Sequence, residues 1–233
     1  MLSRMKTSHP MMDPRVSPPP HTKSPQASWE LRLLHRTSAM LLAGFVLMHL
    51  GNHVAGLAGV GLHLEVMEAL RTLYRQGFVE ALLLASVLFQ IGSGARLLWR
   101  GRGGRSGWVA WAQALSGAYL MFFMLVHVGA VLGARLQGVD TNVYFAAAGL
   151  HVAPWTLFFA PYYFLGVLSF WTHAGCGLYW NVPVGHRQAV LGGMLAVGVV
   201  MAAALVWWLA AGIPLEQIPV RYLTPFVPNV HGA

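Results

Sequence analysis

Residues 38–51, SAMLLAGFVLMHLG, align without a gap on residues 116–129, SGAYLMFFMLVHVG. The copies share Ser, Leu, Phe, Leu, His and Gly, so His49 and His127 are equivalent positions, each inside an apolar stretch. The repeat continues. Gly61-Leu62-His63 recurs as Gly149-Leu150-His151, and Ser86-x3-Gln90-x-Gly92-x-Gly94 recurs as Ser169-x3-His173-x-Gly175-x-Gly177. A duplicated unit that carries histidines inside membrane-length segments points to a pigment held between helices.

Composition sets the solvent. Hydrophobic residues make up 56% of the chain and charged residues 9%, and several segments approach the roughly 20 apolar residues that a bilayer core requires. The expected fold is all-α: a polytopic membrane protein with five transmembrane helices, at about residues 35 to 58, 77 to 99, 108 to 134, 153 to 180 and 188 to 212. Four of them form the core from a duplicated two-helix unit, and the fifth is added to it. The fifth has no interior charge or histidine, and its Gly192-Gly193, Gly198 and residues 202–204 suit close helix packing.

The cations predict the orientation. Arg4, Lys6, Arg15, Lys23, Arg32 and Arg36 precede the first span, Arg96, Arg100, Arg102 and Arg105 surround the second connection, and Arg187 follows the fourth span. That side is expected in the cytoplasm, with the N-terminus inside and the C-terminus outside a bacterial inner membrane. The opposite loops mix Glu65, Glu68, Glu80, Asp140 and Glu216 with Arg71, Arg75, Arg135 and Arg221. The net charge of +8 therefore reflects topology and attraction to anionic lipid. It does not reflect nucleic-acid binding, since no stripe of interleaved aromatic and basic residues occurs. Trp99, Trp108 and Trp180 fall near the cytoplasmic boundary, as in an aromatic belt.

Residues 1–28 contain Pro18, Pro19 and Pro20 and no apolar run, and read as a disordered cytoplasmic tail. Residues 29–213 form the membrane domain, and 214–233 a short extracytoplasmic tail. No cleavable signal peptide is visible, so the first span must direct insertion. Cys176 is the one cysteine, which excludes CxxCH haem attachment and a cysteine-ligated iron–sulfur cluster within the chain. A haem here would have to be non-covalent.

A repeat of two spans preserves direction, so its copies are related by an axis along the membrane normal, and equivalent residues lie at equal depth. His49 and His127 then face each other across that axis, placed to bind haem b with one imidazole on each face. Ser38 lies close to three helical turns before His49, and Ser116 the same distance before His127, so each Ser shares a face with its His. Gln90 and His173 form a second level nearer the cytoplasm, with Gly94 and Gly177 one turn away, where a flat ligand or a backbone could approach. A full copy would offer two histidines at this level. Gln90 takes one place, and an amide is not a usual axial haem ligand. One haem and one degenerate site are expected.

These positions resemble the membrane-anchor cytochrome b superfamily of succinate dehydrogenase and fumarate reductase, in its five-helix, dihaem form. His49, Gln90, His127 and His173 fall where that group carries histidines on four helices. The resemblance covers residues 30 to 212, with Gln90 as a departure and a longer stretch from His127 to Ser169 than from His49 to Ser86. It implies electron transfer between a membrane quinone and soluble flavin and iron–sulfur subunits on the cytoplasmic side, with the chain itself a non-catalytic electron-transfer subunit. It also implies quinone contact at Arg36 and Ser38.

Other readings stay open. His49 and His127 could be interior histidines hydrogen-bonded between helices, although intramembrane ionisable groups are costly and usually functional. His173 could bond Gln90, ligate iron or touch quinone. His53 lies one turn after His49 but aligns with Val131. It reads as a histidine near the headgroups, or as a partner of a haem propionate or quinone carbonyl, or as a substitute for His49. His63 and His151 could receive haem propionates or bind a metal together, and read by default as interfacial caps. A transition metal at His49, His53, His63 and Met67 is the alternative ligand set. Residues Leu62 to Tyr74 read as an amphipathic helix on the outer surface, with Leu62, Val66, Leu70 and Leu73 apolar. No nucleophilic triad, phosphate loop or HExxH motif is present. The rival from another class is a stand-alone membrane haem- or metal-binding or scaffold protein without dehydrogenase partners.

Overall fold

The computed structural model describes residues 25–227. The tail read at residues 1–28 lies almost wholly outside that range, as does the last part of the C-terminal tail. The described chain folds as helices α1 (Pro25–Gly56), α2 (Val60–Tyr74), α3 (Gly77–Arg100), α4 (Trp108–Leu136), α5 (Val143–Ala148), α6 (Thr156–Tyr179), α7 (Arg187–Trp207) and α8 (Val220–Leu223). Among the described residues there is no strand. A π turn over Trp208–Gly212 extends α7.

Four segments are long and apolar enough to cross a membrane: Trp29–Gly56, Gly77–Arg100, Trp108–Leu136 and Val184–Gly212. Their apolar side chains largely face outward. Only 6% of the most apolar window of α4 is buried, and Met40, Leu88, Leu125 and Val200 are all exposed. A water-soluble bundle would hide that surface, whereas lipid solvates it. This is a membrane protein.

α1 packs on α2 and α3, α3 on α4, α4 on α6, and α6 on α7. One end of the bundle is basic, with Arg102 stacked on Trp99 and Arg105 bonded to the Leu98 carbonyl in the α3–α4 turn. The three tryptophans expected at that boundary are all exposed there. The other end is capped by α2, α5, the π turn and the C-terminal segment.

The cap has its own core of Val143, Ala147, Leu150, Trp208, Leu209, Ile213, Ile218 and Tyr222. Residues 215–226, within the segment read as a tail, are folded into it. α4 ends on Gly138, whose left-handed φ of 71° lets Val139 bond back to Ala134 and Gly138 to Arg135. That is a Schellman closure, which suits a residue without Cβ. The turn delivers Asp140 to Arg71 of α2 at 2.7 Å, and Arg71 also pairs with Glu68. Glu80 at the start of α3 pairs with Arg135 at the end of α4.

α2 is amphipathic, but the stripe it turns inward is His63, Met67 and Arg71. Leu62 and Leu73 are exposed. The helix lies over a polar, histidine-rich opening, so its polar side faces the protein.

Candidate functional site

His49 and His127 meet at the capped end with ring centres 6.0 Å apart. Each imidazole is stacked on a phenylalanine one turn earlier on its own helix, His49 on Phe45 and His127 on Phe123, with 12° between the planes in both pairs. Phe45 and Phe123 are themselves equivalent in the repeat. The duplication therefore preserves a ligand-like ring together with the ring that orients it. Among the described residues no side-chain hydrogen bond joins the two histidines, and both line a cavity of about 480 Å³.

Two further histidines extend the group. His53 sits 4.7 Å from His49 and 5.1 Å from His63, centre to centre. Trp208 of the π turn covers His63 at 5.3 Å. Trp208 can lie there because Gly56 has no side chain: a Cβ at that position would come within 2.1 Å of the indole.

Asn52 Nδ2 donates to His63 Nε2 at 3.2 Å, while His53 Nδ1 stands 3.4 Å from the same nitrogen. His63 Nδ1 and Asn52 Oδ1 are buried without partners. Burial first, then His49 and Arg71, hold the His63 pKa down at about 4. Among the described residues no three His, Cys, Asp or Glu side chains are grouped to hold a metal ion. His151 stands apart from His63 and meets the Leu209 carbonyl at 3.2 Å.

The spacing of the pair is compatible with two ligands to one metal. An imidazole nitrogen binds a transition metal at about 2 Å and lies about 1 Å from its ring centre, so two imidazoles that shared one metal could have centres about 6 Å apart. The cavity falls within the roughly 300–1,000 Å³ usual for cofactor sites. Its walls include Val126, Ala130, Val131, Phe145 and Phe159, and its polar atoms are few and grouped. His49 and His127 are the residues on this cavity that could hold a metal or a metal-bearing cofactor.

The second level is arranged differently. Gln90 Nε2 donates to the His35 carbonyl at 2.7 Å and to Ser38 Oγ at 2.6 Å. His173 Nδ1 lies 3.0 Å from the Gln113 carbonyl and 3.4 Å from Ser116 Oγ. In the register that aligns Ser38 with Ser116, His35 aligns with Gln113. The two copies thus make the same pair of contacts with His and Gln exchanged between helices. Gln90 bonds within its own copy and not to His173.

His35, absent from the sequence reading, also bonds Ser93 at 2.7 Å. Extending the repeat three residues upstream exposes that His/Gln exchange. The His173 ring is seated on Gly117, where a Cβ would meet it at 2.9 Å. Met121 covers Gly94. Met121 and His173 thus occupy the space over Gly94 and Gly117, whereas Gly177 has nothing within 4 Å. Ser38 thus belongs to this polar layer, while Arg36 is exposed on the other side of the α1 turn.

The chain matches no family model, no curated protein and no solved structure.

Proposed function

We propose that this chain is a five-span membrane cytochrome whose His49 and His127 hold one haem b from its two faces, and that it passes electrons between a membrane quinone and soluble flavin and iron–sulfur partner subunits. One observation carries the reading: two repeat-equivalent imidazoles, 6.0 Å apart and each braced by a stacked phenylalanine, line a largely apolar cavity. His49 and His127 would hold the haem, which would supply a one-electron carrier.

α6 serves as the fifth span. Its 24 residues extend about 36 Å at 1.5 Å each, more than the roughly 30 Å of a hydrocarbon core, and contain no Asp, Glu, Lys or Arg. Tyr162, Tyr163 and His173 lower its hydropathy, but each bonds within the protein: Tyr162 to the Phe123 carbonyl, Tyr163 to the Ala146 carbonyl and His173 to Gln113. Polar atoms satisfied in this way can be carried at membrane depth. With five spans, the positive-inside rule places Arg96, Arg100, Arg102, Arg105 and Arg187 in the cytoplasm and the cap outside. The resemblance to dehydrogenase anchors supports soluble partners on the cytoplasmic face and quinone near Arg36 and Ser38.

The test is purification from haem-replete cells followed by quinol addition. A protein that binds haem and is reduced by quinol, retained with flavoprotein and iron–sulfur subunits, is the expected result. A colourless protein overturns the reading. A haem protein retained alone and inert to quinol leaves a stand-alone haem binder.

A further inference from the structure

We infer that Arg221 and Tyr222, in the C-terminal segment folded over the cavity, form a carboxylate anchor for the ligand's acidic edge. This rests on the haem reading above and names the residues that would hold the propionates.

The argument begins with how the cap spends its charges. Asp140 and Glu68 are taken by Arg71, and Glu80 by Arg135. Arg75 and Arg221 have no carboxylate partner within 4.0 Å among the described residues. Arg221 lines the cavity, and Arg75 reaches Thr141 on its wall at 3.4 Å. The mouth is therefore cationic, while the histidine pair lies among apolar walls.

Tyr222 adds a second, independent observation. It is only 1% exposed and lines the same cavity. Its hydroxyl oxygen accepts from Asn142 Nδ2 at 3.0 Å and from Arg221 Nη2 at 3.1 Å. Both lone pairs are thereby used, and the phenolic O–H has no acceptor among the described residues. A buried hydroxyl hydrogen requires one. A carboxylate at the mouth would accept from the Tyr222 O–H and the Arg221 guanidinium together, the charge-assisted arrangement that Arg favours. A ligand with an apolar body and carboxylates along one edge matches apolar walls and a cationic mouth.

The test compares haem with haem dimethyl ester, which lacks the carboxylates, in the full chain reconstituted in detergent. Loss to a haem-scavenging globin should be about tenfold faster for haem in Arg221→Gln and several-fold faster in Tyr222→Phe, with Arg221→Lys between Arg221→Gln and the unaltered protein. The ester should leave all four proteins at one rate. In the untreated holoprotein, the propionate bending mode in resonance Raman should shift in Arg221→Gln and Tyr222→Phe. Equal effects on both porphyrins, or no effect on haem and no Raman shift, overturn the anchor alone. Unaltered protein that binds neither porphyrin overturns the haem reading and the anchor with it.

Discussion

An imidazole on a helix can rotate about two bonds, and the proposed ligand role requires it to be held in one orientation. Phe45 and Phe123 supply that restraint by stacking within each helix. His63 is held by Asn52, His53 and Trp208 in a neutral setting. Its folded pKa of about 4 lies below the unfolded value near 6.5, so protonation is disfavoured in the fold. Its contribution to stability is whole above about pH 6.5 and is lost as pH falls toward about 4. In haem-free protein, the fall in thermal midpoint over that window should be smaller in His63→Gln than in the unaltered chain, and an identical fall would contradict this account. At the second level, Gln90→His should leave one haem per chain by pyridine haemochrome, because that position already faces the His35 carbonyl and Ser38. Two haems would show that the layer opens.

Among the elements, four of the five expected spans and the histidine-bearing repeat were legible in the sequence, since apolar length and duplicated spacing are local properties. α2 was legible as amphipathic, but which side faced the protein was not. An apolar stripe turns outward when the outside is lipid, and only the packed structure shows His63, Met67 and Arg71 turned in. The π turn had no legible signal, nor did its tryptophan, whose place is fixed by Gly56 on a helix distant in sequence. Gly56→Ala should destabilise the protein by about 1–3 kcal/mol, as overpacking generally does, because its Cβ would enter the Trp208 indole. Gly51→Ala, with nothing within 4 Å, should change stability little. Thermal unfolding of both variants in one detergent makes the comparison, and equal midpoints would contradict the wedge.

At the scale of the whole molecule, the fold divides into a basic end tied together by short turns and a capped end that closes a cavity. Residues 214–233 follow the last apolar span and were read as a tail. Ile218 and Tyr222 nevertheless sit in the core of the cap, through contacts made far along the chain. The proposed crossing by α6 has a direct consequence. An odd number of spans places the residues before α1 and those after α8 on opposite sides of the membrane. Single cysteines introduced at Ser3 and Ala233, in a chain with Cys176→Ser, should react with an impermeant thiol reagent from opposite sides of sealed vesicles, and reaction from the same side would contradict five spans. The central claim concerns the paired imidazoles. Optical spectra of the reduced, purified protein, with His49→Ala and His127→Ala alongside, test it most directly. Sharp alpha and beta bands of low-spin b haem in the unaltered protein, lost in each variant, are the predicted result. Bands that survive in either variant with the low-spin form intact would contradict the assignment.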